Sequence, residues 1–174
     1  MPDLFKAIIL GRGICGLLDG TAAITLLHFQ GVGPSRVFQG VASGLIGLRS
    51  FQAGWRSIAL GLLLHFSIAL SAASIFSLAS RHLPWLLSHT LTAGVLYGLI
   101  VYLVMSLIVV PLSARPKTTV TPGQIVSQII VHALCVGLPI SLATKHYLPH
   151  GKVLSQTDRH PVILTEGLPM NNAT

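Results

Sequence analysis

Arg12, Asp19, His65, Tyr102, Gln128 and His132 are the residues of this sequence whose types could do chemistry where they stand, because each interrupts a long apolar run. A carboxylate and imidazoles are the usual relay groups for protons in membranes, and two imidazoles at one depth can ligate haem iron. Three roles therefore compete. The groups can hydrogen-bond one another and hold helices in register. Asp19, His65 and His132 can form a proton-coupled site in a small transporter or channel-like protein. His65 and His132 can face each other across a slot that takes haem or a quinone. The first role is the leading expectation, with no cofactor and no metal. An intramembrane metalloenzyme would want more carboxylates than Asp19, and neither an HExxH pair nor a GxSxG elbow occurs.

The elements that must position these residues are apolar and long. Residues 57–79, SIALGLLLHFSIALSAASIFSLA, carry no formal charge and place His65 near their middle. At 1.5 Å per residue the run extends ~34 Å, enough to cross ~30 Å of hydrocarbon. Residues 5–29, 55–80, 86–113 and 124–148 read as four membrane spans. Asp19, His65, Tyr102 and His132 then fall roughly 12–17 Å from one common face, because helices of alternating direction bring them to one layer. Their faces agree as well. Gly61, His65, Ala69 and Ala72 share a stripe, as do Gly94, Gly98, Tyr102 and Met105, and Gln124, Gln128, His132, Cys135 and Pro139. On the first span, Arg12 and Asp19 lie nearly two turns apart beside Gly13, Gly16, Gly20 and Ala23. Asp19, His65, Tyr102 and His132 are expected to converge inside the bundle.

Composition supports the same class. The chain is 52% hydrophobic and 9% charged, against about 25% charged in soluble domains. The net charge of +7 collects at the ends of apolar runs, at Arg49 and Arg56, Arg81, Arg115 and Lys117, and Lys145 and Lys152. This pattern suits anionic headgroups and topology setting, and no basic stripe with interleaved aromatics points to nucleic acid. Cys15 and Cys135 lie in apolar runs without CxxC spacing, so they read as small buried hydrophobes. Gly11-x-Gly13-x-x-Gly16 matches a dinucleotide fingerprint only formally, since no acid occurs between Asp19 and Asp158 and the following chain is membrane-length helix.

Residues 37–48, between Arg36 and Arg49, are too few to cross and suit a short interfacial or re-entrant helix. Pro139 should kink or bulge the fourth span. Gly16-x-x-x-Gly20 and Gly94-x-x-x-Gly98 offer close-contact faces, which leave room for a homo-oligomer or a place as a membrane-complex subunit. Residues 149–174 are polar, proline-containing and aperiodic, and are expected to be a disordered tail after a bundle domain of 1–148. No cleavable signal stands out, and the first span reads as retained. The flanking cations divide evenly between the two faces; Arg12 tips the assignment toward cytoplasmic termini.

His65-Phe66-Ser67-Ile68-Ala69, Gly94-Val95-Leu96-Tyr97-Gly98, Pro111-Leu112-Ser113 and the stretch from His132 to Gly137-Leu138-Pro139 resemble small bacterial inner-membrane proteins, loosely of the YagU-like family. The resemblance covers about residues 4–148, although this chain is shorter and lacks an aromatic-rich last helix. It implies a few helices around a histidine-bearing core in the bacterial inner membrane, and it transfers no catalytic role. The expected molecule is an all-α, four-span, non-enzymatic integral membrane protein with the lipid bilayer as its first partner.

Overall fold

The computed structural model describes residues 2–148, with the side chain of Pro2 left aside, and the expected polar tail lies outside the described residues. All regular structure among the described residues is helical. Four helical stretches are long and apolar enough to cross a membrane: Asp3–His28, Trp55–His82, Thr90–Leu112 and Pro122–Tyr147. Leucines that would be a liability in water lie on the outside, Leu63 at 65% exposure and Leu107 at 69%. A hydrocarbon solvent accepts them without cost.

The first span is helix α1 (Pro2–His28), with Asp3 in its first turn, where a carboxylate complements the helix dipole, and His28 in its last. Helix α2 (Pro34–Ile46) opens with Pro34 in its first turn, where no backbone donor is lost, and runs into a 3₁₀ turn, Gly47–Phe51. It begins three residues before the stretch read from sequence. Helix α3 (Trp55–His82) is the second span. Phe38 of α2 lies across α3 at Gly61, where a Cβ would overlap the Phe38 carbonyl. The short helix thus packs on the bundle, as its length required.

The third span starts later than residue 86. A separate one-turn helix α4 (Trp85–Ser88) comes first, and α5 (Thr90–Val104) follows after a break at His89. Local competition explains the break. The Ser88 hydroxyl donates to the carbonyls of Pro84 and Trp85, and the Thr90 hydroxyl donates to Leu87 at 2.8 Å. Downstream, α5 widens into a π segment, Met105–Val109, before α6 (Val110–Leu112). The fourth span repeats the device: α7 (Pro122–Val131), a π segment at His132–Gly137, then α8 (Leu138–Tyr147). Each π segment precedes a proline, Pro111 or Pro139. A proline lacks the donor for the carbonyl four residues back and its ring crowds that carbonyl, so a widened turn relieves both defects. The distortion anticipated at Pro139 is this bulge. The fourth span also begins two residues before 124: Thr121 and Gln124 form a reciprocal capping box, their bonds 3.4 and 3.0 Å, with Pro122 between them.

Helix α1 packs against α3 on one side and against α8 on the other, while α5 lies along α8 and the preceding π segment. The core is Cys15, Ala69, Ala72, Ala73, Phe76, Ala93, Val136 and Ile140, with Tyr97 packed on it. Cys15 is buried and Cys135 half-buried, both as free thiols. A second close seam sets Gly94 and Gly98 against the backbone of His132, Ala133 and Gly137. That face, offered by the sequence to another molecule, is used within the chain. A Cβ at Gly98 would overlap the His132 carbonyl and come within 2.7 Å of the Ala133 Cα, backbone that cannot step aside. Gly98→Ala is therefore expected to cost about 2 kcal/mol or more by overpacking. Gly13→Ala, with nothing within 4 Å, should leave thermal unfolding of the detergent-solubilised protein unchanged or slightly raised. Equal melting temperatures for both variants would contradict this seam.

Candidate functional site

Asp19, His65, Tyr102 and His132 lie at one level of the four membrane-length helices, each nine or ten residues from the helix end on the α2 side. That is ~15 Å at helical rise. Within this layer the side chains form two pairs.

The first pair joins α1 to α3. His65 Nε2 lies 2.8 Å from the Gly16 carbonyl, so this nitrogen carries the proton and donates across the helix interface. His65 Nδ1 is left toward Asp19, 3.9 Å from Oδ2. That separation exceeds a hydrogen bond but permits an ion pair when the imidazole is protonated. The side chains are 14% and 22% exposed, respectively. The imidazole is fixed edge-on by Phe66 at 5.4 Å and Phe38 at 6.2 Å between ring centroids. Gly16 and Gly20 make the approach possible: a side chain at Gly16 would meet the Phe66 ring, and a Cβ at Gly20 would sit 3.4 Å from His65 Nε2. A small cleft of about 130 Å³ borders the ring, walled by Leu17, Thr21, Ile24, Phe38 and Leu62 and therefore nearly all apolar.

The second pair joins α5 to the fourth span. Tyr102 and His132 meet edge to face, centroids 5.6 Å apart. His132 Nδ1 donates to the Gln128 carbonyl at 2.8 Å, within its own span. Gln128 enters through its backbone, not its amide. Among the described residues no hydrogen bond or ion pair links the Asp19–His65 pair to the Tyr102–His132 pair. The expected convergence of all four therefore resolves into two separate contacts. Each imidazole has a carbonyl within 2.8 Å, and such a neutral acceptor satisfies it at lower desolvation cost than a distant carboxylate. The imidazoles of the haem reading accordingly sit in different pairs. Arg12 is half-buried and makes no ion pair with Asp19; the seven-residue step between them is ~10 Å along α1. His28, His82, His89 and His146 are exposed at span ends, as expected, and His150 and His160 lie outside the described residues.

Polar residues that sequence reasoning passed over carry equal weight. The Tyr97 hydroxyl donates to the Ala72 carbonyl at 2.7 Å, from α5 to α3. Thr144 donates to Ile140 within α8, which leaves its oxygen to accept from Ser77 of α3 at 3.0 Å. At the α2-bearing face, Gln124 donates to Gln30 at 3.2 Å. Small polar residues at Ser77, Ser80, Ser141 and Thr144 were the available signal, but serine and threonine are too common in membrane helices to single out. A double-mutant cycle on Ser77→Ala and Thr144→Val should return a coupling of about 0.6 kcal/mol, with about 1.7 as a ceiling. A coupling of zero would remove this bond from the account.

With this geometry in hand, comparison with known proteins finds no matching family model, curated protein or solved structure.

Proposed function

We propose that this chain is a non-enzymatic, multi-pass protein of the bacterial inner membrane, an accessory subunit or self-associating bundle, whose intramembrane polar groups hold its helices in register. One observation carries the reading. Hydrogen bonds between distant parts of the bundle recur at successive levels, from Gln124 to Gln30, in the turn after α1, through the inter-span pairs Gly16–His65 and Ala72–Tyr97 to Ser77–Thr144 toward the other face. The resemblance to YagU-like proteins supports the compartment. Under this reading His65→Ala lowers the melting temperature of the purified protein by several degrees, because it leaves a histidine-sized void and an unpaired approach to Gly16. Asp19→Asn shifts it far less. Unchanged melting in His65→Ala would sink the register role.

A second reading has its own observation. The Asp19 carboxylate makes no hydrogen bond among the described residues, yet it lies mid-membrane beside a titratable imidazole. Ionisable groups held in that position mark proton or ion pathways. If Asp19 and His65 form a proton-coupled site, proteoliposomes subjected to a pH jump leak or exchange protons at a rate that Asp19→Asn reduces at least tenfold. Flux equal to that of empty liposomes returns the pair to a purely structural role.

A further inference from the structure

We infer that a cationic plate built from α2, the 3₁₀ turn after it, the start of α3 and the loop after α6 is a docking surface for the headgroups of anionic phospholipids. Five cations are brought to one membrane face: Arg36, Arg49, Arg56, Arg115 and Lys117, all exposed. They come from distant parts of the chain, and specific contacts assemble them. The Ala114 amide donates to the Gly44 carbonyl at 2.9 Å, which pins the Arg115 loop to the end of α2. Gly47, at φ +62°, turns the chain there into the 3₁₀ segment that carries Arg49, and the Ala114 carbonyl rests against it. The guanidinium of Arg36 stands 5.5 Å over the Phe51 ring.

Among the described residues no carboxylate stands near enough to neutralise the plate. Asp3 and Asp19 are the carboxylate side chains of the described residues; Asp3 lies at the opposite end of α1, and Asp19 lies nine residues inside the span. Exposed Leu45, Leu48, Trp55 and Leu112 flank the cations at 62, 68, 72 and 83% exposure. Apolar side chains at that level enter hydrocarbon while the guanidiniums remain at the phosphates, which is the division a phospholipid offers and a soluble polyanion does not. Arginine adds the forked donor geometry that a phosphate accepts in two places. The inference rests on the chain spanning a bilayer and is independent of any role for Asp19 and His65.

The test is equilibrium binding of fluorescent short-chain phosphatidylglycerol to the full chain in neutral detergent, with phosphatidylcholine as control. Phosphatidylglycerol should bind in preference, and the preference should shrink between 50 mM and 500 mM salt. Each cation removed should weaken binding about fivefold. Arg49→Gln with Arg56→Gln and Arg115→Gln then weakens it on the order of 100-fold, while Lys6→Gln with Arg81→Gln and Lys145→Gln, at the opposite face, changes it less than about twofold. Should the triple variant not fold, Arg115→Gln with Lys117→Gln alters only the loop and weakens binding about 25-fold. Equal affinity for phosphatidylcholine, equal loss from the opposite-face variant, or displacement by equimolar inorganic phosphate overturns the inference.

Discussion

The structure depends on the absence of water in its surroundings. Inside hydrocarbon a backbone or side-chain polar group has no solvent to return to, so an unpaired one is costly and most find a partner within the protein. The helices satisfy the backbone. The side chains then divide into those that bond back to their own helix and those that cross to another. Ser67, Ser71 and Ser74 donate to carbonyls four residues earlier and add nothing to assembly. His65, Tyr97 and Ser77 cross to a neighbour, and they determine which helix lies beside which.

Because hydrocarbon outside and side chains inside are equally apolar, burial drives helix association weakly here, and close packing must supply much of the attraction. Small residues make this possible. Gly94, Gly98 and Gly137 bring two backbones into contact, and Ala69, Ala72, Ala73 and Ala93 keep the core between the helices thin. The two π segments belong to this economy. Pro111 and Pro139 would leave gaps in their helices, and the widened turns ahead of them absorb the defect; the second places Gly137 against Gly94. A proline is therefore part of how the third and fourth spans meet.

Hydropathy and run length made the four spans and the short α2 legible, because a bilayer imposes its thickness on any helix that crosses it. Helix ends were less legible. His89 breaks the third span through serine and threonine bonds that compete with the backbone, and Thr121 with Gln124 starts the fourth earlier than hydropathy suggests. In the candidate site, spacing put Asp19, His65, Tyr102 and His132 at a shared level but led to the expectation that all four converge, where the structure has two separate pairs. It could not show that His65 would take the Gly16 carbonyl, since an acceptor of that kind is present at every residue and only packing selects one.

By itself the sequence determined the helical class, the number of membrane-length helices, the level of each polar residue along its helix and the stripe on which it lies. These follow from rise per residue and helical period, which are local quantities. Tertiary structure alone decided that the polar layer forms two pairs, that the Gly94–Gly98 face is consumed within the chain, and that Arg49 and Arg115 share one plate. Each of those depends on contacts between residues far apart in sequence, and many helix arrangements satisfy the same hydropathy pattern; steric fit and the pairing of buried polar groups select among them.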